Sequence, residues 1–432
     1  MDLKIHIKKL GPITDSEIEL NRFMLFSGES GMGKSYAAFL AYYFLDLIIE
    51  GSLKSKFPRF IAQLEKQADK SFSFCINDFL RWMDNNIKQF FKYLLGNDNV
   101  DVDVRFESKK NDIIRYEVCK DETGEWGERV FEQISVNGGM IMAYNGIVDM
   151  FNMFNEHLKK ITFRSLKKYQ SSMPIHLFDI GLRYIQVLLP PARGSFMGMS
   201  YSAMKGITET AGMYQEFVDD LEGLLQIGRE ENKIDPEIHK ILEEDILKGK
   251  INLKKGKLSY SFDGHEIPIT AAASSIKELA PLFLAIKKYP VDVLSILFEE
   301  PEAHLHPELQ VKAADLIALM VNKGSLFQVT THGNFFMGEI SNLLKLHYIK
   351  SKIGDEKFEI FCREKGFDKS LALDPAKVNS YYFRKRGDGT VEILKHDASK
   401  GLPFDTFENT VDRNLTQFYN INNYIKELED RP

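Results

Sequence analysis

Cysteine is scarce: three occur in 432 residues, Cys75, Cys119 and Cys362, and no two form a Cys-x-x-Cys pair. An odd number of such widely separated thiols excludes a disulfide framework and argues against a zinc site. Unbroken apolar runs of about 18 residues are missing as well, so no membrane-spanning helix is expected. The opening "MDLKIHIKKL" alternates charged and apolar residues where an export signal needs a continuous apolar core. A cytoplasmic protein without a membrane partner is the expectation. Excess charge of one sign is also slight, at a formal net −6, which gives no global pull toward nucleic acid or anionic lipid. Sustained heptads and internal repeats are absent, which argues against a long coiled-coil arm.

What is present suits a globular chain long enough for one large domain with an insertion, or for two or three smaller units. Three short strands are expected at the start: Lys4 to Leu10, Asp15 to Leu20, and "RFMLFS", which ends at Gly28. The run "SYAAFLAYYFLDLIIEG" is apolar on nearly all sides, as in a buried helix. From Ser52 to Ile180 the pattern reads as a mostly helical insertion carrying the strands "VDVDVRFES" and "IIRYEVCK". The strand in "RYIQVLLPPARG" ends at a double proline, and a helical stretch then runs to about Lys250. "KLSYSFDGHEIPI" reads as a hairpin turning at Asp263-Gly264. After it come a helix from Ser275 to Lys288, the strand "VLSILFEE", a helix from about Glu308 to Asn322, and the strand "SLFQVTT". Such alternation predicts a parallel sheet with helical crossovers. The expected units are 1–51, 52–180 (insertion), 181–250 and 251–432.

"GESGMGKS", Gly28 to Ser35, fits G-x-x-x-x-G-K-[ST] in the order strand, loop, helix. Its glycines allow the amides of Gly28, Glu29, Ser30, Gly31, Met32, Gly33, Lys34, Ser35 and Tyr36 to turn toward phosphate oxygens. Lys34 can reach the β and γ phosphates, and the Ser35 hydroxyl can ligate Mg2+. Such a loop needs carboxylates at the end of a neighbouring strand, and "LSILFEEPEAHLHP" places Glu299 and Glu300 there. Glu299 is assigned to the Mg2+ shell and Glu300 to orienting the attacking water, so ATP and Mg2+ are the expected ligands. Beyond the next strand, in "VTTHGNFF", His332 is the candidate to contact the γ phosphate or the water. His304 and His306 form a His-x-His without further ligands nearby, which argues against a metal site.

In this order and spread, "IHIKKLGPITDSEIEL", the phosphate loop, "LFEEPEAHLHP" and "VTTHGNFF" resemble the ABC-type ATPases of the overcoming-lysogenization-defect class. The resemblance covers the two ends of the chain and leaves the middle largely unmatched. It implies an α/β fold: a P-loop head with a mixed β-sheet, flanking helices and N-terminal antiparallel strands, interrupted by the insertion. "VNSYYFRKRGDGTVEI" and "TFENTVDRNL" are similar to the terminal strand pair and helix of these ATPases. The resemblance further implies head-to-tail pairing, with ATP sandwiched between the loop of one subunit and a serine-led signature helix of another. "TAAASSIKELAPL" would then supply Ser274 and Ser275, although Ile276 stands where the family has glycine. Ser275 and Glu278 also fit a capping box that needs no nucleotide. Arg193, after the double proline, is a candidate phosphate cation or a lever between lobes, with a surface arginine as the plain alternative. Gln186 is a second candidate for the lobe-linking role.

Two functions follow as expectations. In the first, a homodimer or higher oligomer of ATP-sandwich dimers acts as a sensor controlling a separately encoded effector, a nuclease or toxin, in antiviral defence. In the second, a DNA-repair or chromosome-maintenance ATPase binds DNA directly. A transporter subunit fits less well, because the signature glycines are absent.

Overall fold

In the computed structural model, the described residues are 3–49, 71–97, 99–108, 113–117, 119–120, 126–127, 133–134, 184–199, 204, 212–225, 234–254, 257–403 and 405–429. Of the insertion expected at 52–180, residues 52–70 and all of 121–180 except 126–127 and 133–134 therefore lie outside the described residues.

The strands, in chain order, are β1 (Leu3–Leu10), β2 (Ile13–Glu19), β3 (Phe23–Gly28), β4 (Ser71–Cys75), β5 (Val102–Ser108), β6 (Ile113–Glu117), β7 (Cys119–Lys120), β8 (Trp126–Gly127), β9 (Gln133–Ile134), β10 (Ile185–Leu189), β11 (Lys250–Lys254), β12 (Lys257–Phe262), β13 (His265–Pro268), β14 (Leu294–Glu299), β15 (Leu326–Thr331), β16 (Val378–Lys385) and β17 (Val391–His396). The longer helices are α1 (Lys34–Ile49), α2 (Ile76–Leu95), α3 (Gly212–Leu225), α4 (Pro236–His239, continued by a π-helical stretch Lys240–Leu247), α5 (Ser274–Lys288), α6 (Pro307–Lys323), α7 (Asn334–Ile353), α8 (Asp355–Lys365) and α9 (Asp405–Glu429).

Nine strands form one mixed sheet in the order β10-β14-β15-β3-β16-β17-β2-β1-β5. From β10 to β16 every pairing is parallel, and the remainder is antiparallel except where β17 meets β2. The protein is thus a mixed α/β fold with helices on both faces of a large sheet. β3 lies between β15 and β16, so both of its edges are paired, and with Phe23 and Leu25 in one core and Met24 and Phe26 in the other all six residues are buried. That burial explains its unbroken apolar sequence. Val102–Ser108, which the sequence reading puts inside the insertion, is an edge strand of this sheet paired with β1.

The sheet separates two apolar cores. On one face, α1 is buried between the sheet and α2, with Tyr43 against Phe90 at 4.4 Å and Tyr36 edge-on to Phe91. A helix covered on both sides has no use for a polar stripe, which accounts for "AAFLAYYFL". On the other face, α3, α5, α6 and α7 pack over β10, β14 and β15. The hairpin β12–β13 turns at Asp263 and Gly264, both with positive φ, as the Asp-Gly signal requires. α9 leaves Leu415, Phe418, Tyr419, Ile421, Tyr424 and Ile425 exposed. Among the described residues, no helix is long and apolar enough to cross a membrane.

Candidate functional site

The loop that follows β3 runs along the carboxyl edge of the parallel strands, where ligands of open α/β sheets bind. Gly28 leaves β3 at φ 133°, and a β-carbon there would lie 2.8 Å from the Phe383 carbonyl oxygen of β16. Gly33 enters α1 at φ 88° and lies against Ile13 and Pro12 of the β1–β2 turn. Both positions need glycine for conformation and for space. Glu29, Ser30 and Gly31 are exposed at the tip, and Met32 is buried beneath it. The Tyr36 ring points away from the loop, onto Phe91 and the Gly11 turn.

Lys34 is buried, and its ammonium donates to the carbonyls of Gly28 at 3.0 Å and Glu29 at 2.8 Å. Burial lowers its pKa to about 8, against the opposing pull of Glu300, Glu302 and Glu299. The ammonium also lies 3.3 Å from His332 Nδ1. Having no lone pair, it can only donate there, which leaves the imidazole proton on Nε2. That Nε2 faces Glu300 Oε1 at 3.5 Å. Burial, and secondarily the nearby ammonium, hold the His332 pKa below its ordinary value, so the ring is neutral around pH 7.

The two carboxylates at the end of β14 have different surroundings. Glu299 is buried and accepts a 2.6 Å hydrogen bond on Oε2 from Ser35 Oγ, the second residue of α1. Its Oε1 is buried with no hydrogen-bond partner. Burial raises its pKa to about 7, against the Ser35 bond. Glu300 leaves the strand in the left-handed region, at φ 45°, anchored by its amide to the Thr330 carbonyl, and its side chain is exposed. Adjacent carboxylates thus face opposite ways, one into the sheet edge and one over it. A hydroxyl and a buried carboxylate with an unpartnered oxygen form a hard donor set that fits Mg2+.

Arg193 is fully buried, and it is neither a surface arginine nor free to meet a phosphate. It opens a short 3-10 turn after Ala192 at φ 58°. Its guanidinium donates to the backbone carbonyls of Pro190, Glu278, Glu299 and Glu300, lies 3.5 Å from Glu278 Oε2, and stacks over Phe298 at 4.5 Å. It ties the acid pair to α5. The capping box expected from Ser275 and Glu278 does not form: α5 starts at Ser274 after Ala273, without a side-chain cap, and Glu278 is buried against Arg193. Compensating a buried guanidinium outweighs a cap bond of about 1 kcal/mol. Ser274 is exposed at the start of α5, Ser275 is half-buried, and Ile276 is buried in the core.

Gln186 is not brought to this edge. It is buried opposite Ser295, four residues before Glu299, or about 13 Å down the strand. His304 and His306 are exposed on the turn before α6. Glu302 is a residue that motif reasoning passed over. Buried beneath His332, it accepts from the Thr331 hydroxyl and the His332 amide, both at 2.7 Å.

Residues 154–337 match the family described as AAA ATPase domain, a stretch that holds Arg193, the acid pair and His332 but not the loop at 28–35. No curated protein matches the chain. Among solved structures, an SMC head domain from Thermotoga maritima is similar at 12% identity and a TM-score of 0.35, covering 92% of this chain and 99% of that one. An Smc head domain with an extended coiled coil, bound to the C-terminal domain of ScpA and derived from Pyrococcus furiosus, is similar at 12% identity and a TM-score of 0.37, covering 97% and 98%. Over 154–337 the chain is therefore similar to AAA ATPase domains, and that match implies ATPase activity.

Proposed function

We propose that the chain binds ATP with Mg2+ at the Gly28 turn and hydrolyses it there. The observation that carries this reading is the contact of Ser35 with Glu299, residues 264 apart in sequence, beside a buried Lys34 that faces His332. Amides of the loop and of the first turn of α1 bind the phosphates, and Lys34 exchanges its two carbonyl partners for phosphate oxygens. Ser35 and Glu299 hold Mg2+, which when bound offsets phosphate charge. Glu300, exposed over the edge, accepts a hydrogen bond from the attacking water and orients it. The neutral His332 donates from Nε2 to the terminal phosphate.

The same reading extends to assembly. Ser274 would meet the nucleotide of a second subunit in a head-to-tail dimer or a higher oligomer built on it, a reading that its exposure at the start of α5 supports. Arg193 then joins the signature helix to the acid pair. Control of a separately encoded nuclease or toxin in antiviral defence rests on the motif resemblance described above.

Calorimetry with ATP, with and without Mg2+, followed by phosphate release, tests the core of the proposal. Mg2+-dependent uptake and turnover by the wild type, both lost in Lys34→Ala, are expected. Absence of uptake by the wild type overturns it. ATP-dependent, salt-sensitive DNA binding by the purified chain would move the assignment to the chromosome-maintenance alternative.

A further inference from the structure

The turn after the acid pair brings a third carboxylate back under the sheet edge. Glu300 at φ 45° and the bond from the Ala303 amide to the Glu300 carbonyl reverse the chain, and the Leu305 amide bonds to the Glu302 carbonyl. Glu302 is thereby aimed inward and buried. One oxygen, Oε1, accepts both the Thr331 hydroxyl and the His332 amide at 2.7 Å. Thr331 Oγ1 accepts in turn from the Gly333 amide at 3.0 Å, so one carboxylate organises three consecutive residues at the end of β15. The other oxygen, Oε2, has no hydrogen-bond partner.

Gly333 supplies an independent sign of the same packing. Its φ of −80° is open to any residue, so conformation does not call for glycine there. Space does: a β-carbon would lie 2.9 Å from Glu302 Cγ, 3.1 Å from Cδ and 3.2 Å from Oε1. Glycine at 333 and glutamate at 302 are two halves of one fit.

We infer that Glu302 is a positioning residue that fixes the His332 backbone, and through it the imidazole between Lys34 and Glu300. The inference rests on the proposed ATPase reading for its effect on turnover, though not for its effect on the loop. Glu302 does not touch the reacting atoms. It acts by holding the amide of the residue that does, with a charge-assisted bond stronger than a neutral one. Loss of that anchor lets the imidazole leave the line between Lys34 Nζ and Glu300 Oε1, and a small misplacement of this kind is costly in rate.

The test compares Glu302→Ala, Glu302→Gln and Gly333→Ala with wild type in three measurements. Glu302→Ala should lower kcat about ten- to a hundredfold while the KM and the calorimetric affinity for ATP stay within about threefold. Glu302→Gln should recover most of the rate, because its amide oxygen still accepts both bonds. Gly333→Ala, which displaces the glutamate without removing it, should resemble Glu302→Ala. In a His332→Ala background, Glu302→Ala should add little, since residues that act as a unit are not additive. Hydrogen exchange at the His332 amide should be slow in wild type and in Glu302→Gln, and fast in Glu302→Ala, whether or not the protein hydrolyses ATP. A protected amide in a protein without turnover would leave the positioning role standing and remove the ATPase reading. Equal loss of rate in the Gln and Ala variants, full additivity with His332→Ala, or an amide no faster in Glu302→Ala would overturn the inference.

Discussion

The Ser35 hydroxyl donates to Glu299 Oε2 across 2.6 Å and so joins the first turn of α1 to the end of β14. The carboxylate at this contact is buried, and its second oxygen is unpartnered. A buried anion with spare coordination capacity is an unfavourable arrangement for a ligand-free protein and a favourable one for a cation. Stability and ligand binding therefore oppose each other at this residue.

Glu299→Gln should make the ligand-free protein more stable at pH 8. The carboxyl pKa is raised by burial from its ordinary 4.5 to about 7, so the folded state holds its proton longer than the unfolded one. The contribution of this group to stability is accordingly fully present below about pH 4.5 and is lost as pH rises through 7. The glutamine variant should lack this decline and gain on the order of 2–3 kcal/mol at pH 8, measured by denaturant titration at several pH values. The same variant should lose Mg2+-dependent ATP affinity.

Uptake of Mg2+ and ATP should move protons in a direction that reverses with pH. Metal binding requires the Glu299 carboxylate, so near pH 6 binding should release protons. Phosphate binding favours the Lys34 ammonium, whose pKa burial lowers to about 8, so near pH 9 binding should take protons up. Calorimetry in two buffers of different ionisation enthalpy at each pH reads both signs. Proton-neutral binding at both extremes would contradict these electrostatics.

Glu300 and Glu299 should separate cleanly in mutagenesis. Glu300→Gln keeps the loop and the Ser35–Glu299 contact intact, so ATP affinity should stay within about threefold while turnover falls by 100-fold or more. Light scattering with ATP should show the oligomer accumulating in this variant. Loss of affinity comparable to that of Lys34→Ala would refute the division of roles.

Arg193→Met should destabilise the fold and impair the site together. The change strands the buried Glu278 carboxylate and removes donors from four backbone carbonyls, a loss of about 3–5 kcal/mol. Pairing it with Glu278→Leu, so that no buried charge is left alone, should recover part of the thermal stability without restoring turnover. Full recovery of turnover would show that the arginine has no part in aligning the acid pair.

Substitutions at the loop glycines should rank by space as well as by φ. Gly28→Ala meets the Phe383 carbonyl at 2.8 Å and should prevent stable folding or abolish nucleotide binding. Gly31→Ala, at φ 77° with nothing within 4 Å, should cost about 1–2 kcal/mol, seen as a modest fall in Tm.

Local signals made the loop, the acid pair and His332 legible, because each is a short pattern at the end of a strand whose apolar run is itself readable. The βα alternation after Ser275 was legible for the same reason. Strand order was not: nothing in the periodicity of "VDVDVRFES" says that it pairs with β1 on the main sheet. Glu278 was misread because a capping box is a local pattern, whereas its actual partner, Arg193, is 85 residues away. The turn at Glu300 hid Glu302, since "EEPE" looks like a solvated acidic cluster until the left-handed residue folds it inward. A glycine after "TTH" with no turn to make was the one sequence sign of it.

The placement of β3 between β15 and β16 also governs when the nucleotide pocket can first exist. The phosphate-loop residues leave the ribosome before the strands that wall them in, which end only at Thr331 and Lys385. Until that later segment emerges, the largely apolar β3 has neither neighbour and is open to wrong pairings. Pairings of such long sequence separation make for slow folding. A nucleotide at this edge would therefore stabilise the assembled sheet but could not guide its nascent strands.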